Sequence, residues 1–448
     1  DCPCKPYNGV WFFENPGGGK APVFRAGKRV HASRRNIQVS WVDGKPRYLT
    51  PGAEVSADLT NAIKVYPTAR TEEHRKIRAN QWKYLDYDGD GALDLIAGVG
   101  IWDDYGWDNA YNAKGGWTNG PLRGFVYLMR NEGKMAKPNY SAPTKVQAGG
   151  KPVDVYGRPS PNFADFDGDG DLDLFVGQWK EPYLKGSMPT PYYDANDGYP
   201  DALLINDGKG NFTDGTKNAG LEAKRNRRTY SASFADLDGD NDLDLFCVCD
   251  FSGIDVYLND GKGKFTDFTD NWVKQRHGFG MGHTVADFNS DGTLDIYMVG
   301  MSSTTARRLD RLNLGRDGFE KYDAMRAPMT YGNRLYFGSS SSLQQPELSD
   351  DVARTGWSWG TGSADFDNDG DLDLYVANGH LSGNSALDYC TRFWCHDVYT
   401  GTSKPNQTLD TFFSGKLSGL GSNYSWNGFE HNHLFLNKQN SGFHNVAF

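Results

Sequence analysis

Five stretches of this 448-residue chain concentrate acidic side chains at a fixed spacing: DYDGDGALDLIAG (86–98), DFDGDGDLDLFVG (165–177), DLDGDNDLDLFCV (236–248), DFNSDGTLDIYMVG (287–300) and DFDNDGDLDLYVANG (365–379). Carboxylate or amide oxygens fall at the first, third, fifth and ninth positions, and an apolar residue fills the eighth. These are Asp86, Asp88, Asp90 and Asp94 in the first loop, and Asp165, Asp167, Asp169 and Asp173 in the second. The third has Asp236, Asp238, Asp240 and Asp244, the fourth Asp287, Asn289, Asp291 and Asp295, and the fifth Asp365, Asp367, Asp369 and Asp373. Carboxylates crowded into one loop repel one another and favour water unless a cation joins them.

Oxygen-only ligands at alternating positions describe a hard-cation loop resembling the first half of an EF-hand. Glycine stands at the sixth position in four copies and permits the backbone reversal; Asn241 replaces it in the third and tolerates the left-handed conformation. An EF-hand would need a bidentate Glu at position twelve. Here that position is Ala97, Val176, Cys247, Met298 or Val376, inside an apolar run. The loop therefore closes on the ninth residue, and the seventh (Ala92, Asp171, Asp242, Thr293 or Asp371) is expected to offer its carbonyl, its side chain pointing outward. Calcium suits such an all-protein oxygen cage better than magnesium. Five divalent ions would bring +10, which cancels the formal net charge of −10. The acidity then belongs mostly to the sites, and a net negative charge disfavours nucleic acid and anionic membranes as partners.

Positioning such loops requires strands. After each loop the LDLF- or LDIY-type run alternates so that the ninth Asp and its apolar neighbours take opposite faces, which lets a strand begin inside its own metal site. A second repeated element alternates with the loops: GVWFFENPGGGKAPVF (9–24), GFVYLMRNEGKMAKPNY (124–140), DALLINDGKGNFTD (201–214), IDVYLNDGKGKFTD (254–267) and NHLFLNKQNSGFHNVAF (432–448), with a degenerate copy GNRLYFGSSSSLQQ (332–345). Each reads as strand, Gly- or Asn-bearing turn, strand. Acidic loop, strand and hairpin make one antiparallel blade. NIQVSWVDGKPRYL (36–49) reads as a further hairpin, and MSSTTARRLDRL (301–312) as a short helix capped by Ser or Thr. With 38% hydrophobic and 14% aromatic residues and many turn formers, the chain reads as an all-β repeat architecture.

No run of 18 apolar residues is present, so no transmembrane helix is expected, and no basic-then-apolar leader precedes Asp1, although a leader already removed stays open. Six cysteines form the pairs Cys2 and Cys4, Cys247 and Cys249, and Cys390 and Cys395. An even number is compatible with disulfides in an oxidising compartment. Cys390 and Cys395 read as a local bridge, Cys247 and Cys249 equally as buried thiols or a bridge. Zinc is a weak alternative because no CxxC pair has a partner pair.

The combination of D-x-D-x-D-G-x-x-D loops with LFLN-x-G-x-F hairpins resembles FG-GAP, or VCBS, repeats of the integrin-alpha-type β-propeller. GWSWGTGSADFDNDGDLDLYVANG (356–379) and NHLFLN are similar to cartilage acidic proteins and their bacterial relatives. The resemblance covers most of 80–448. It implies one calcium-binding β-propeller over 1–448, of seven blades with six or eight as alternatives, each calcium loop joining the first and second strands of a blade. Successive loops are 79, 71, 51 and 78 residues apart, so most blades carry insertions. Either the termini share a blade and close the ring, or the chain is a segment of a longer protein.

Function on such a scaffold concentrates in insertions. IWDDYGWDNAYNAKGGWTNG (101–120) sets Trp102, Tyr105, Trp107, Tyr111 and Trp117 among polar residues, and QWKEPYLKGSMPTPYYDANDGYP (178–200) is a similar segment. Flat rings beside amides and carboxylates suit a sugar face; the alternative is that they pack the insertion. Trp102, Trp107, Tyr111 and Trp117 are the candidate ligand residues. His277 and His283, with Arg276 and His380, are the candidate acid/base groups, though such histidines more often serve packing. No nucleophile elbow, P-loop or HExxH motif occurs. The first reading is an extracellular, cell-surface or periplasmic calcium-stabilised module, with about five Ca2+ sites, that binds a glycan or a protein partner. The alternative is a calcium-dependent polysaccharide lyase or hydrolase. Oligomeric state is not encoded in these patterns.

Overall fold

The structure, a computed structural model, describes residues 10–12, 25–31, 37–43, 45–50, 52–64, 77–101, 123–135, 137–155, 161–180, 189–315, 317–379, 382–383, 394, 406–408, 411, 424–425, 431–438 and 442–446. Two compact units emerge. The first comprises 1–108, 119–176 and 202–215, the second 109–118, 177–201 and 216–448.

The fold is all-β. Six sheets carry the four-strand antiparallel order of a propeller blade, three in each unit. In the first unit, blade 1 is Gln38–Val42, Lys45–Thr50, Ala53–Val55 and Ala62–Lys64. Blade 2 is Ile77–Leu85, Asp94–Ile101, Arg123–Met129 and Thr144–Lys145. Blade 3 is Asn162–Ala164, Asp173–Val176, Ala202–Asn206 and Phe212–Asp214. In the second unit, blade 4 is Arg228–Ala235, Asp244–Asp250, Gly253–Leu258 and Thr266–Asp267. Blade 5 is Gly280–Ala286, Asp295–Gly300, Arg334–Ser339 and Ser342–Gln344. Blade 6 is Ser358–Ala364, Asp373–Asn378, His433–Asn437 and Phe443–Asn445.

Among the described residues the count is six, where seven was expected with six or eight as alternatives. Of the hairpin read at 9–24 the structure describes Val10–Phe12, which pairs with Lys28–His31 in a two-stranded sheet. Blade 1 grows from the hairpin read at 36–49 by two strands, Ala53–Val55 and Ala62–Lys64, whose short and mixed sequences give no alternation to read.

The second strands of blades 2 to 5 explain the apolar runs, because they are buried on both faces. In blade 2, Leu95, Ala97 and Val99 join a cluster with Leu49 of blade 1, while Ile96 joins Leu174, Val176 and Leu204 of blade 3. In blade 5, Ile296 and Met298 pack with Val248 and Val256 of blade 4, and Tyr297 and Val299 with Leu374 and Val376 of blade 6. Alternation survives as a choice between two neighbours rather than between core and water. All five strands that follow an acidic loop begin at the ninth residue of that loop.

The helix read in 301–312 is Thr304–Arg311, with the Ser303 hydroxyl accepting from the Ala306 N–H at 3.1 Å. Cys247 and Cys249 are buried free thiols. Cys2, Cys4, Cys390 and Cys395 lie outside the described residues. No helix among the described residues is long and apolar enough to cross a membrane.

Candidate functional site: acidic loops and an aromatic row

The first to fifth acidic loops join the first and second strands of blades 2 to 6. Each turns through two left-handed residues, at the fourth and sixth positions: Gly89 and Gly91, Gly168 and Gly170, Gly239 and Asn241, Ser290 and Gly292, Asn368 and Gly370. Only the sixth stands out in the sequence; Ser290 and Asn368, at φ 57° and 58°, hide the fourth. The first Asp fixes that turn. Its Oδ2 accepts from the N–H of the sixth residue at 2.9 to 3.1 Å in every loop.

The ninth Asp is a bracket. Oδ2 of Asp94, Asp244, Asp295 and Asp373 accepts from the N–H of the second loop residue: Tyr87, Leu237, Phe288 and Phe366. Oδ1 accepts from the end of the third strand, from Asn131, Asn259, Gly338 and Asn437 at 2.7 to 2.9 Å, and Asp173 accepts from Asn206 likewise. Burial raises these carboxyls, Asp94, Asp244 and Asp295 to about 6 and Asp173 to about 7. Each oxygen keeps a second lone pair for a cation.

The strand-end asparagines were read only as turn formers. Asn206, Asn259 and Asn437 donate through Nδ2 to the carbonyl of the eighth loop residue, Leu172, Leu243 and Leu372. Asn206 and Asn259 accept turn N–H groups on Oδ1. The signal was their recurrence at one offset from the strand.

Three carboxylates come together, ligand oxygens within 4.8 Å of one another, in four loops: Asp86, Asp88 and Asp90; Asp165, Asp167 and Asp169; Asp236, Asp238 and Asp244; Asp365, Asp367 and Asp373. The fourth loop, with Asn289 and Thr293, forms no such group among the described residues, and Thr293 Oγ1 instead donates to Asp291 and to the Gly338 carbonyl. Not every seventh side chain is turned out. Asp371 is 3% exposed, and Asp242 Oδ1 is buried without a donor, because the third-strand hairpin folds over this position: Asp242 and Asp171 lie against Gly261 and Gly208.

The donor set fits a hard divalent cation. Oxygens of Asp86, Asp242, Asp367 and Asp371 are buried with no hydrogen-bond donor, a costly state that a cation relieves. Asp86, Asp88, Asp90, Asp165, Asp167, Asp169, Asp236, Asp238, Asp244, Asp365, Asp367 and Asp373 would hold it. Bound there, it would supply the charge that joins loop to strand. Among the described residues, two side-chain cations already lean on the loops: Arg130 reaches Asp88 at 3.2 Å, and Lys438 reaches Asp367 at 2.7 Å and Asp369 at 3.4 Å.

A different feature sits at the other end of the first strands. The register slips by one residue at Arg78 in blade 2, Tyr230 in blade 4, Met281 in blade 5 and Trp359 in blade 6, as a β-bulge does. In the second unit these bulges build an aromatic row. Trp179 lies 5.1 Å from Tyr230, and Tyr230 meets Trp359 edge-on at 6.2 Å. Trp179 Nε1 donates to buried Asp250 at 3.2 Å, Trp359 Nε1 donates to the Gly379 carbonyl, and Trp359 is 42% exposed. Tyr192 and Tyr193, from the same insertion as Trp179, are core residues against Phe279 and Trp394.

Two of the candidate acid/base histidines, His277 and His283, are among the described residues. His283 is wedged between Ser231 (2.9 Å at Nδ1) and Ser233 (2.7 Å at Nε2), and burial lowers it to about 4. His277 is lowered to about 4 by burial and by Arg276, which is itself paired with Asp194 and Asp270. His380, Trp102, Trp107, Tyr111 and Trp117 lie outside the described residues.

A family described as FG-GAP-like repeat matches residues 193–247 and 236–298, windows that take in the third and fourth acidic loops. The chain carries FG-GAP-like repeats. Its four-stranded sheets have the strand order of β-propeller blades, and the matched windows span blade 4 and reach into blade 5. Among solved structures it is similar to the V. cholerae biofilm matrix protein Bap1, at 15% identity and a TM-score of 0.32, over 69% of this chain and 35% of that one. It is also similar to the exotype rhamnogalacturonan lyase YesX (14%, TM-score 0.35, 79% of this chain and 72% of that one). A third is the Bacillus licheniformis rhamnogalacturonan lyase PL11 (16%, TM-score 0.35, 82% and 56%). The chain spans about a third of the length of the matrix protein, and likeness at this level assigns no function. No curated protein matches the chain, and the narrower resemblance to cartilage acidic proteins has no counterpart in these comparisons.

Proposed function

We propose that this FG-GAP propeller is a calcium-stabilised binding module that works outside the cytoplasm and recognises a glycan on the Trp179, Tyr230 and Trp359 rings. The observation that carries the reading is the aromatic row at the bulges. Bulges re-aim side chains where a strand must serve something other than its sheet, and here two of them turn aromatic rings to one place. A ring exposed as Trp359 is offers a flat apolar face with no core to fill, which suits the C–H face of a pyranose. Ambient calcium near millimolar outside cells would keep weaker oxygen sites filled, which supports the location.

Acid/base chemistry has weaker footing, because both ring nitrogens of His283 are engaged by serines. A glycan array probed with the calcium-loaded protein tests the proposal. Trp359→Ala is expected to leave melting within a degree or two and to lose at least tenfold in binding to every glycan retained by the parent. Unchanged binding by the variant would move recognition elsewhere. An ultraviolet signal for unsaturated uronate products with the parent protein would favour the lyase alternative.

A further inference from the structure

We infer that Lys438 is a tethered cation that occupies the fifth acidic loop and must leave when a divalent ion binds there, so that this site is set weaker than its counterparts. The inference rests on the calcium reading given above.

Lys438 follows Asn437 at the end of the third strand of blade 6. The residues at the same offset in blades 3 and 4 are Asp207 and Asp260, and both face their own turns: Asp207 accepts from the N–H of Lys209 and Asn211, Asp260 from those of Lys262 and Lys264. Lys438 instead crosses to the loop. Its Nζ stands 2.7 Å from Asp367 Oδ2 and 3.4 Å from Asp369 Oδ2, carboxylates of the third and fifth loop positions.

Asp367 is one of the carboxylates that would hold a calcium ion, at distances of about 2.3–2.6 Å, and Asp369 stands at the next ligand position of the ladder. An ammonium and a divalent cation sharing them would repel at close range in a poorly solvated pocket. The seat is nonetheless built for more positive charge than one ammonium. Asp371 is 3% exposed and its Oδ1 has no donor, and Oδ1 of Asp367, itself 2% exposed, has none either. Lys438 satisfies part of the loop and leaves the remainder unsatisfied.

Its side chain is 22% exposed, so the four-carbon stem has a way out to solvent. Among the described residues no lysine or arginine pairs with the carboxylates of the second or third loop. In the first, Arg130 touches a single carboxylate and is 44% exposed. Lys438 is therefore the cation most deeply engaged with a loop. The consequence is a loop that is folded before calcium arrives and that gives up a salt bridge when it does.

The test is calcium titration of chelator-stripped protein by calorimetry, with melting measured in chelator and in saturating calcium, for the parent and Lys438→Met. The expected result has opposite signs in the two conditions. The variant melts lower than the parent in chelator, and one site binds calcium at least tenfold tighter while the number of sites is unchanged. Adding Asp367→Asn to Lys438→Met removes that tightened site and locates it in the fifth loop. A variant that melts lower by the same amount in both conditions makes Lys438 a structural residue and overturns the inference, as does an unchanged isotherm. Failure of Lys438→Met to fold even in calcium overturns it too, because the lysine would then be needed when the ion is present. If the parent itself binds no calcium, the calcium reading falls and takes this inference with it.

Discussion

The Asn437 amide donates to the carbonyls of Leu372 and Phe288, so one buried side chain ties its own loop to the loop of the preceding blade. Its N–H also serves Asp373. Replacing it by Ala leaves buried carbonyls without donors, which costs about 2–3 kcal/mol. Urea denaturation of Asn437→Ala should show that loss, and a change below about 0.5 kcal/mol would return the residue to the plain turn role. His283 gives a second expectation at this scale. Its folded value of about 4 lies below the unfolded value near 6.5, so the unfolded state takes up the proton first and stability is lost as pH falls between these values. Between pH 7 and pH 5 the contribution is about 2 kcal/mol, and His283→Gln should remove that part of the pH dependence in parallel denaturation curves. The ligand ladder itself could be read from residue types alone, because alternating carboxylates have few other uses. The strand-end asparagines escaped because Asn at a turn already has an ordinary explanation.

Between elements, arginines decide where an insertion lies. Arg227 Nε pairs with Asp255 at 2.9 Å, while its other nitrogens hold the Ala195 carbonyl and Asp194 of the segment between the second and third strands of blade 3. Arg228 holds Asp197 and the Lys180 carbonyl in the same way. That segment accordingly belongs to the second unit although blade 3 belongs to the first. Asp255 is 1% exposed and is also paired with Lys224 at 2.8 Å. Asp255→Ala takes the buried carboxylate away from both Arg227 and Lys224 and should cost about 3–5 kcal/mol, whereas Asp267→Ala, at the exposed side of Lys224, should cost about 1 kcal/mol or less. Equal losses in thermal or urea unfolding would mean that the network does not centre on Asp255. None of this was legible in the sequence. The arginines sit in NRRTYS and their acids 28 to 33 residues away on either side, with no spacing to link them. Blade strands were legible where a loop announced them, and blade 1, which lacks a loop, was seen only as a hairpin.

For the molecule as a whole, the formal charge of −10 is a statement about its loops. A divalent ion held at a hundred times its dissociation constant contributes about 2.7 kcal/mol, so several filled sites should raise melting by roughly 10 °C over the chelated protein. Elemental analysis and melting with and without a strong chelator check this together; no metal found and no shift would remove calcium from the account. The repeat made an all-β propeller readable at once, because each loop came with its strand and hairpin. The count did not follow so directly, since the segment at 9–24 has a hairpin's composition while Val10–Phe12 pairs with Lys28–His31.

The ninth-position brackets also impose an order in time. Each ninth Asp waits for a partner N–H that lies further along the chain, 37 residues on in the first loop, 33 in the second, 15 in the third, 43 in the fourth and 64 in the fifth. A ribosome adding about 5–20 residues per second delivers the third loop's partner within about a second or a few and the fifth loop's only after roughly 3–13 seconds. A nascent chain therefore completes its acidic loops in numerical order but with unequal delays, the third soonest after its own emergence and the fifth with the longest wait. Until then, a loop already made is an open string of carboxylates, and a peptide copied from one alone would stay that way.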